Sequence, residues 1–215
     1  KYAAEGEFAG AIAAIRQALS IEESQDGWVT LGVICNACAA HGDAVSCYEH
    51  ALELGEGSAC LYNNLGYSYA KLGQLSRAIA ILDKAVLADG ELQSAYHNRA
   101  LVSFAQSQVR RVYPAEALEH IGPAIEVGQA NSDVFLDAAR ITVFCGKFPE
   151  GDDSAATDLL RSAILHGADV SRLGDEVWLG PLLAANPSMS RMRTLEHAGN
   201  QRGSRLQGAE FLVNE

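Results

Sequence analysis

The sequence repeats itself at intervals of 34 residues in its central part, and this regularity restricts the fold more than any other feature. Trp28, Tyr62 and Tyr96 follow one another at that interval. A characteristic residue pair begins three positions after each aromatic residue. The three pairs are Leu31-Gly32, Leu65-Gly66 and Arg99-Ala100. A chain that reuses one unit of this length is expected to fold as a linear array of similar structural units.

Two alanines seven residues apart mark the second half of every unit. The pairs are Ala11/Ala18, Ala44/Ala51, Ala78/Ala85, Ala117/Ala124 and Ala156/Ala163. A large apolar residue lies between the two alanines at helical spacing, so all three share one side of a helix. Small side chains allow two helices to cross closely. The five copies therefore predict about five helix pairs.

Glycine and proline positions predict where these helices end. A glycine follows the second helix in four units, as Gly55, Gly90, Gly128 and Gly167. Glycine just past a helix end can adopt the left-handed conformation that satisfies the last carbonyls, so these four positions predict where the second helices stop. Proline removes a helical hydrogen bond, and Pro123 therefore predicts a kink or a break in the fourth second helix.

The composition agrees with packed helices and excludes several functions. Of the 215 residues, 48% are hydrophobic but only 7% are aromatic, which is typical of closely packed helices and not of a β-sandwich. The chain has 27 acidic and 16 basic residues and a formal net charge of −11. Phosphate backbones and anionic lipids repel such a chain. We therefore expect neither a nucleic-acid partner nor a membrane partner.

These motifs resemble the tetratricopeptide repeat, a helix pair with the pattern W-x-x-L-G-x-x-Y followed by A-x-x-x-F-x-x-A. The best matches are Trp28-Leu31-Gly32-Ala44-Tyr48-Ala51 and Tyr62-Leu65-Gly66-Tyr69-Ala78-Leu82-Ala85. The resemblance implies an all-α fold, a right-handed superhelical solenoid of about five helix pairs with a C-terminal helical cap. The chain departs from the family in lacking the closing proline. It also has five extra residues around 110–114 and around 148–152.

The same register divides the chain into an array, a cap and a tail. The repeats are expected at 1–24, 25–58, 59–92, 93–130 and 131–167, the capping helices at 168–198, and a linker and tail at 199–215. The sequence begins without Met and inside a helical pattern, which suggests a segment of a longer protein. Its last part also resembles the repeat tails of large bacterial proteins, including some serine/threonine kinases. A regulatory segment of such an enzyme is therefore an alternative function.

Four of the five cysteines lie within 26 residues. An odd number of cysteines favours reduced thiols and a cytoplasmic location over a disulfide framework. A metal or redox site at Cys35, Cys38, His41 and Cys47 is a further alternative, because these groups share one side of a helix and the following turn. We predict instead that the thiols are buried and behave as small hydrophobic groups, with no metal and no cofactor.

Motifs for catalysis are missing from the sequence. It contains no phosphate-binding glycine loop, no Gly-x-Ser-x-Gly and no His-Glu-x-x-His. Asp152 and Asp153 precede a serine at a predicted helix start, where negative charge is favourable, so they are interpreted as helix-capping residues. We predict that the chain is not an enzyme and that it is a scaffold for protein–protein contacts, as the resemblance implies.

The resemblance also implies where a partner binds, because fixed positions of each first helix face a concave groove in the family. The candidate partner-binding residues are Val29, Val33, Asn36, Asn63, Asn64, Tyr67, Lys71, His97, Asn98, Leu101, Phe104 and Phe135. Family members that hold a C-terminal carboxylate carry several basic residues at these positions, whereas this set has one lysine. We therefore expect a partner protein to supply an amphipathic helix or an extended peptide with apolar anchors.

Residues one period apart occupy equivalent positions in consecutive units. His97 and Leu101 stand 34 residues after Asn63 and Tyr67. With Asn64, these four residues are expected to form one continuous patch at the centre of the array.

The first unit lacks most of its first helix. Only five residues precede Gly6, whereas Ala11–Leu19 has the pattern of a complete second helix. An uncovered apolar face favours association. The sequence therefore predicts fraying or self-association through the N-terminal repeat.

Overall fold

The computed structural model describes residues 2–127, 130–146, 154–169 and 179–185. All regular secondary structure in those residues is α-helical. The chain divides into two units, Lys1–Ala130 and Asn131–Glu215. The first unit contains α1 (Tyr2–Ile21), α2 (Gln25–Ala37), α3 (His41–Leu54), α4 (Ala59–Lys71), α5 (Leu75–Ala88), α6 (Gln93–Arg110) and α7 (Ala115–Glu126). The second unit contains α8 (Ser132–Cys145), α9 (Ser154–Leu165) and α10 (Gly180–Ala185).

Consecutive helices pack as hairpins around the alanines identified in the sequence. The hairpins are α2/α3, α4/α5, α6/α7 and α8/α9. The alanine pairs of their second helices have no exposed surface: Ala44, Ala51, Ala78, Ala85, Ala117, Ala124, Ala156 and Ala163. The large residue between each pair is buried as well: Tyr48, Leu82, Ile121 and Leu160. The predicted all-α fold of repeated helix pairs is therefore confirmed.

The glycine of the leucine-glycine motif sets the distance between the two helices of a pair. A Cβ atom on Gly32 would lie 2.5 Å from Cε1 of Tyr48, and one on Gly66 would lie 2.6 Å from Cγ of Leu82. Both distances are far below van der Waals contact. Only glycine at these positions allows the large residue of the second helix to reach the backbone of the first.

The glycines that follow the second helices differ from one another in conformation. Gly167 is left-handed, with a φ angle of 90°, but Gly55 is extended, with a φ angle of −174°, and Gly90 lies outside the left-handed region. The second helices end one or two residues before Gly55, Gly90 and Gly167, as predicted, and Gly128 lies outside the described residues. Left-handed residues instead follow the first helices: Ala39 (φ 59°), Gly73 (φ 73°) and Arg111 (φ 55°).

Glutamine side chains hold the ends of two second helices. Gln25, the first residue of α2, donates from Nε2 to the carbonyl oxygens of Ala51 at 3.0 Å and of Glu56 at 2.9 Å. Gln93, the first residue of α6, donates in the same way to the carbonyl of Ala124 at 2.8 Å. The last carbonyls of a helix have no partner within that helix. In these two pairs, an amide from the first helix therefore closes the second.

The α6/α7 pair takes up its extra residues by lengthening its first helix. α6 has 18 residues, whereas α2 and α4 have 13 each. The insertion therefore adds more than one helical turn to the end of α6. Pro123 lies inside α7, which continues from Ala115 to Glu126, so the helix is not broken there. The insertion around 148–152 lies outside the described residues.

The N-terminal helix α1 packs through one side only. Leu19 is buried, and Ile12 and Ile15 pack partly against the core of the first unit. Its alanine pair differs from the other four, because Ala11 is half-buried and Ala18 is exposed. In the other pairs, the same side of the second helix packs against a first helix. Among the described residues, no helix covers this side of α1.

The second unit has its own small core. Leu136, Leu160 and Ile164 pack with Leu179, which has no exposed surface, and Leu182 of α10 lies against the same cluster. These two leucines belong to the predicted capping segment, of which residues 170–178 and 186–198 lie outside the described residues, as does the predicted tail at 199–215. Among the helices that the structure describes, none has the length and hydropathy needed to cross a membrane.

Candidate functional site

A cleft of about 180 Å³ lies where α4 and the start of α5 meet α6. Its lining consists of Tyr67, Ala70 and Lys71 from α4, Leu75 from α5, and Asn98, Leu101, Val102 and Ala105 from α6. The 34-residue period brings α4 and α6 side by side, because they are the first helices of consecutive pairs. The resulting surface is mainly apolar, with one amide, one phenol and one ammonium group.

Tyr67 forms an aromatic wall that neighbouring side chains hold in place. Nζ of Lys71 lies 5.1 Å from the centre of the Tyr67 ring, which is the geometry of a cation–π contact. The His41 ring approaches Tyr67 edge-on, with ring centres 6.0 Å apart. Two side chains, Lys71 of α4 and His41 of α3, therefore fix the orientation of this ring.

Asn98 supplies an oriented amide to the cleft. Its Nδ2 donates to Oδ1 of Asn63 at 2.9 Å, and Asn63 is itself buried, with 8% of its surface exposed. An asparagine amide has two N–H donors and one carbonyl acceptor, so the bond to Asn63 uses only part of its capacity. The amide of Asn98 therefore keeps hydrogen-bonding capacity at the cleft surface.

Asn36 uses its side chain inside the fold. Its Oδ1 accepts from Oγ of Ser68 at 3.0 Å and lies 3.0 Å from Nδ1 of His41, while its Nδ2 donates to the Tyr48 hydroxyl at 3.3 Å. Burial raises the pKa of Tyr48 to about 12, so that hydroxyl stays protonated. Through His41, this network supports the position of Tyr67.

The predicted site residues therefore fall into three groups. Tyr67, Lys71, Asn98 and Leu101 line the cleft together. The others in the first unit lie outside its lining: Val29 and Val33 on α2, Asn36 in the network above, Asn63 beneath Asn98, Asn64 on α4, and His97 and Phe104 on α6. Phe135 belongs to the second unit, where its ring lies 4.7 Å from that of His166. Of the predicted central patch, only Tyr67 and Leu101 line the cleft.

Arg99 is a buried cation that the site prediction does not include. Only 6% of its surface is exposed, although it stands at a leucine position of the repeat. Its Nε donates to Oδ1 of Asp83 at 2.5 Å, its Nη2 lies 3.4 Å from Oε2 of Glu116, and it also bonds Ser103. The arginine thus joins α5, α6 and α7. The sequence signal was the Arg99-Ala100 pair in place of leucine and glycine.

The cysteines do not assemble a metal site in the described part of the chain. Cys35 and Cys47 are buried as predicted, whereas Cys38 is exposed. Burial raises the pKa of Cys35, and it raises the pKa of Cys47 to about 11, so both remain protonated thiols and poor metal ligands. Among the described residues, no three His, Cys, Asp or Glu side chains are grouped to hold a metal ion.

A comparison with protein families matches residues 61–91 to the tetratricopeptide repeat. These residues include nearly all of α4 and the whole of α5. A search of curated protein sequences returned no match.

Solved structures of repeat proteins share the fold of the chain. PilW, a type IV pilus biogenesis factor, is 20% identical with a TM-score of 0.66, covering all of this chain and 90% of PilW. MamA from Desulfovibrio magneticus RS-1 is 14% identical with a TM-score of 0.64, covering 80% and 90% of the two chains. YrrB, described as a TPR protein with an unusual peptide-binding site, is 18% identical with a TM-score of 0.60. The match covers 77% of this chain and 82% of YrrB. At these identities, the likeness shows the fold alone.

Proposed function

Because the chain is built of tetratricopeptide repeats, we propose that it is a non-catalytic scaffold that binds a peptide or helix of a partner protein in the cleft between α4 and α6. The observation that carries this proposal is the combination of an apolar cleft with a fixed aromatic wall and an oriented amide. Peptide recognition commonly combines apolar anchors in pockets with polar bonds to the ligand backbone.

The lining of the cleft favours binding over chemistry. Tyr67, Leu101 and Val102 supply apolar contact surface, whereas Asn98 and Lys71 are its only amide and ammonium groups. A general acid–base mechanism needs a group whose pKa lies near neutrality and which faces the reacting atoms. No carboxylate, histidine or cysteine is among the lining residues. An anchor side chain of a partner fits such a cleft better than a reacting substrate does.

Site-specific photo-crosslinking tests this proposal directly. A photoreactive amino acid at Ala105, which lines the cleft, is expected to link covalently to the partner peptide. The matched control places the same group at Leu87 on α5, which is 86% exposed and outside the cleft lining. Equal crosslinking from both positions, or crosslinking from Leu87 alone, would contradict binding in the cleft.

A second proposal concerns the open side of α1, which we infer to be an interface between two copies of the chain. Ala11 and Ala18, on this side, correspond to alanines that are buried in the four complete helix pairs. A second α1 presents the same small apolar face, and a twofold contact between identical faces is self-complementary. Small side chains would allow the two helices to approach closely.

Sedimentation at increasing concentration tests this association. The unmodified chain is expected to form dimers, and the variant Ala11→Glu/Ala18→Glu is expected to remain monomeric because two carboxylates in each copy would face one another. Ala13→Glu/Gln17→Glu adds the same charge to exposed positions on another side of α1 and is expected to leave the dimer intact. A monomer at every concentration, or equal effects of both variants, would disprove the interface.

A further inference from the structure

Carboxylates are missing from the two helices that contribute most of the cleft lining. The chain has 27 acidic residues, yet none occurs in residues 57–82 or 92–115. These segments contain all of α4 and α6, whereas each of the other helices in the first unit carries at least one Asp or Glu. A chain of strongly negative charge therefore presents a first-helix surface without negative side chains at its cleft.

Three cations remain available on this surface. Lys71 lines the cleft, and Arg110 and Arg111 stand at the end of α6, where both are exposed. Within the described residues, none of the three forms an ion pair. Arg99 and Arg161, in contrast, are paired with nearby carboxylates.

The lengthened end of α6 extends the wall of the cleft. Leu101, Ala105 and Gln108 follow one another at intervals of four and three residues, which continues one side of the helix past the cleft, and Arg110 and Arg111 stand at the end of the same helix. Five additional residues prolong a helix by about 7 Å. The end of α6 carries exposed aliphatic groups beside the two arginines, since Val109 is 77% exposed and Val112, which follows the helix, is 47% exposed.

We propose that the segment bound in the cleft is acidic. It places an aliphatic or aromatic side chain between Tyr67 and Leu101, and its carboxylates lie near Lys71 at the end of α4 and near Arg110 and Arg111 at the end of α6. This inference rests on the proposed function and names the chemistry of the partner. Exposed ion pairs add modest affinity individually, but a row of like charges selects strongly among partners and repels basic ones.

A peptide array tests the proposal with the intact chain. Each peptide carries two central apolar residues in all combinations, flanked on both sides by glutamate, lysine or serine. The chain is expected to retain glutamate-flanked peptides about tenfold better than lysine-flanked ones at low salt. The variant Arg110→Glu/Arg111→Glu is expected to reverse that order. Arg16→Glu/Lys84→Glu changes the net charge by the same amount at exposed positions outside the cleft, and this variant is expected to preserve the preference for glutamate-flanked peptides.

The variant Tyr67→Ala/Leu101→Ala separates this inference from the proposed function. If this variant loses the peptides and the unmodified chain prefers glutamate flanks, both are supported. If it loses the peptides but the flanking charge has no effect, the proposal of an acidic partner is disproved and the proposal of binding in the cleft is supported. If no peptide is retained, or if Tyr67→Ala/Leu101→Ala retains peptides fully, both proposals fail.

Discussion

Replacing Tyr67 and Leu101 with alanine is expected to weaken partner binding at least thirtyfold while leaving the helix content unchanged. The two side chains supply opposite walls of the cleft, and Tyr67 is fixed by Lys71 and His41 before any ligand arrives. Truncation of a central anchor contact typically costs about 2 kcal/mol or more, which corresponds to about a thirtyfold loss of affinity. Calorimetric titration of the partner peptide identified by crosslinking gives the dissociation constants.

The control for this experiment removes an apolar side chain of similar kind outside the cleft. Leu87→Ala on α5 deletes an aliphatic group that is 86% exposed, and it is expected to leave affinity unchanged. Circular dichroism verifies that all variants fold. Full affinity in the folded double variant would move the binding surface away from α4 and α6.

The largest effect on stability is expected at the helix crossing inside a repeat. Gly32→Ala places a Cβ atom 2.5 Å from a ring carbon of Tyr48, which has no exposed surface and hence little room to move. Overpacking of this kind costs about 1–3 kcal/mol. Alanine also favours a helix over glycine by about 1 kcal/mol, so the net loss of unfolding free energy is expected to be about 1 kcal/mol.

Gly10→Ala makes the same chemical change in α1 without the close contact. No atom lies within 4 Å of a Cβ built on Gly10. This variant is therefore expected to gain about 1 kcal/mol, since only the helix propensity changes. Urea unfolding followed by circular dichroism compares the two variants. Equal shifts of the same sign would show that the crossing at Gly32 does not determine the packing distance.

The repeat period made much of this molecule predictable. Because residues 34 apart occupy equivalent places, the spacing of Trp28, Tyr62 and Tyr96 located the helix pairs. The same register placed Tyr67 and Leu101 on neighbouring first helices, and the structure brings them into one cleft. Fixed alanine spacing likewise identified the buried crossings.

Other properties of the site depend on distances between helices, which a periodic pattern does not contain. The register assigns Asn36, Asn63 and Asn98 to groove-facing positions of the first helices, yet Asn36 and Asn63 are bonded within the fold outside the cleft lining and only Asn98 lines the cleft. Leu75 reaches the cleft from α5, outside the positions that the family pattern assigns to binding. Arg99 is a buried cation because the packing of α5 and α7 against α6 brings Asp83 and Glu116 next to it.

The glutamine contacts have a consequence for how single repeats open. Gln25 ties the beginning of one repeat to the end of its second helix, and Gln93 does the same in the α6/α7 pair. The α4/α5 pair begins with Ala59, whose side chain has no amide to donate a hydrogen bond to the end of α5. Local opening of the α2/α3 pair or the α6/α7 pair must therefore release the start of the first helix and the end of the second helix together. In the α4/α5 pair, α5 can unwind from its C-terminus alone. Among these three pairs, the repeat that supplies Tyr67 is therefore expected to open most readily at its outer end, next to the proposed binding cleft.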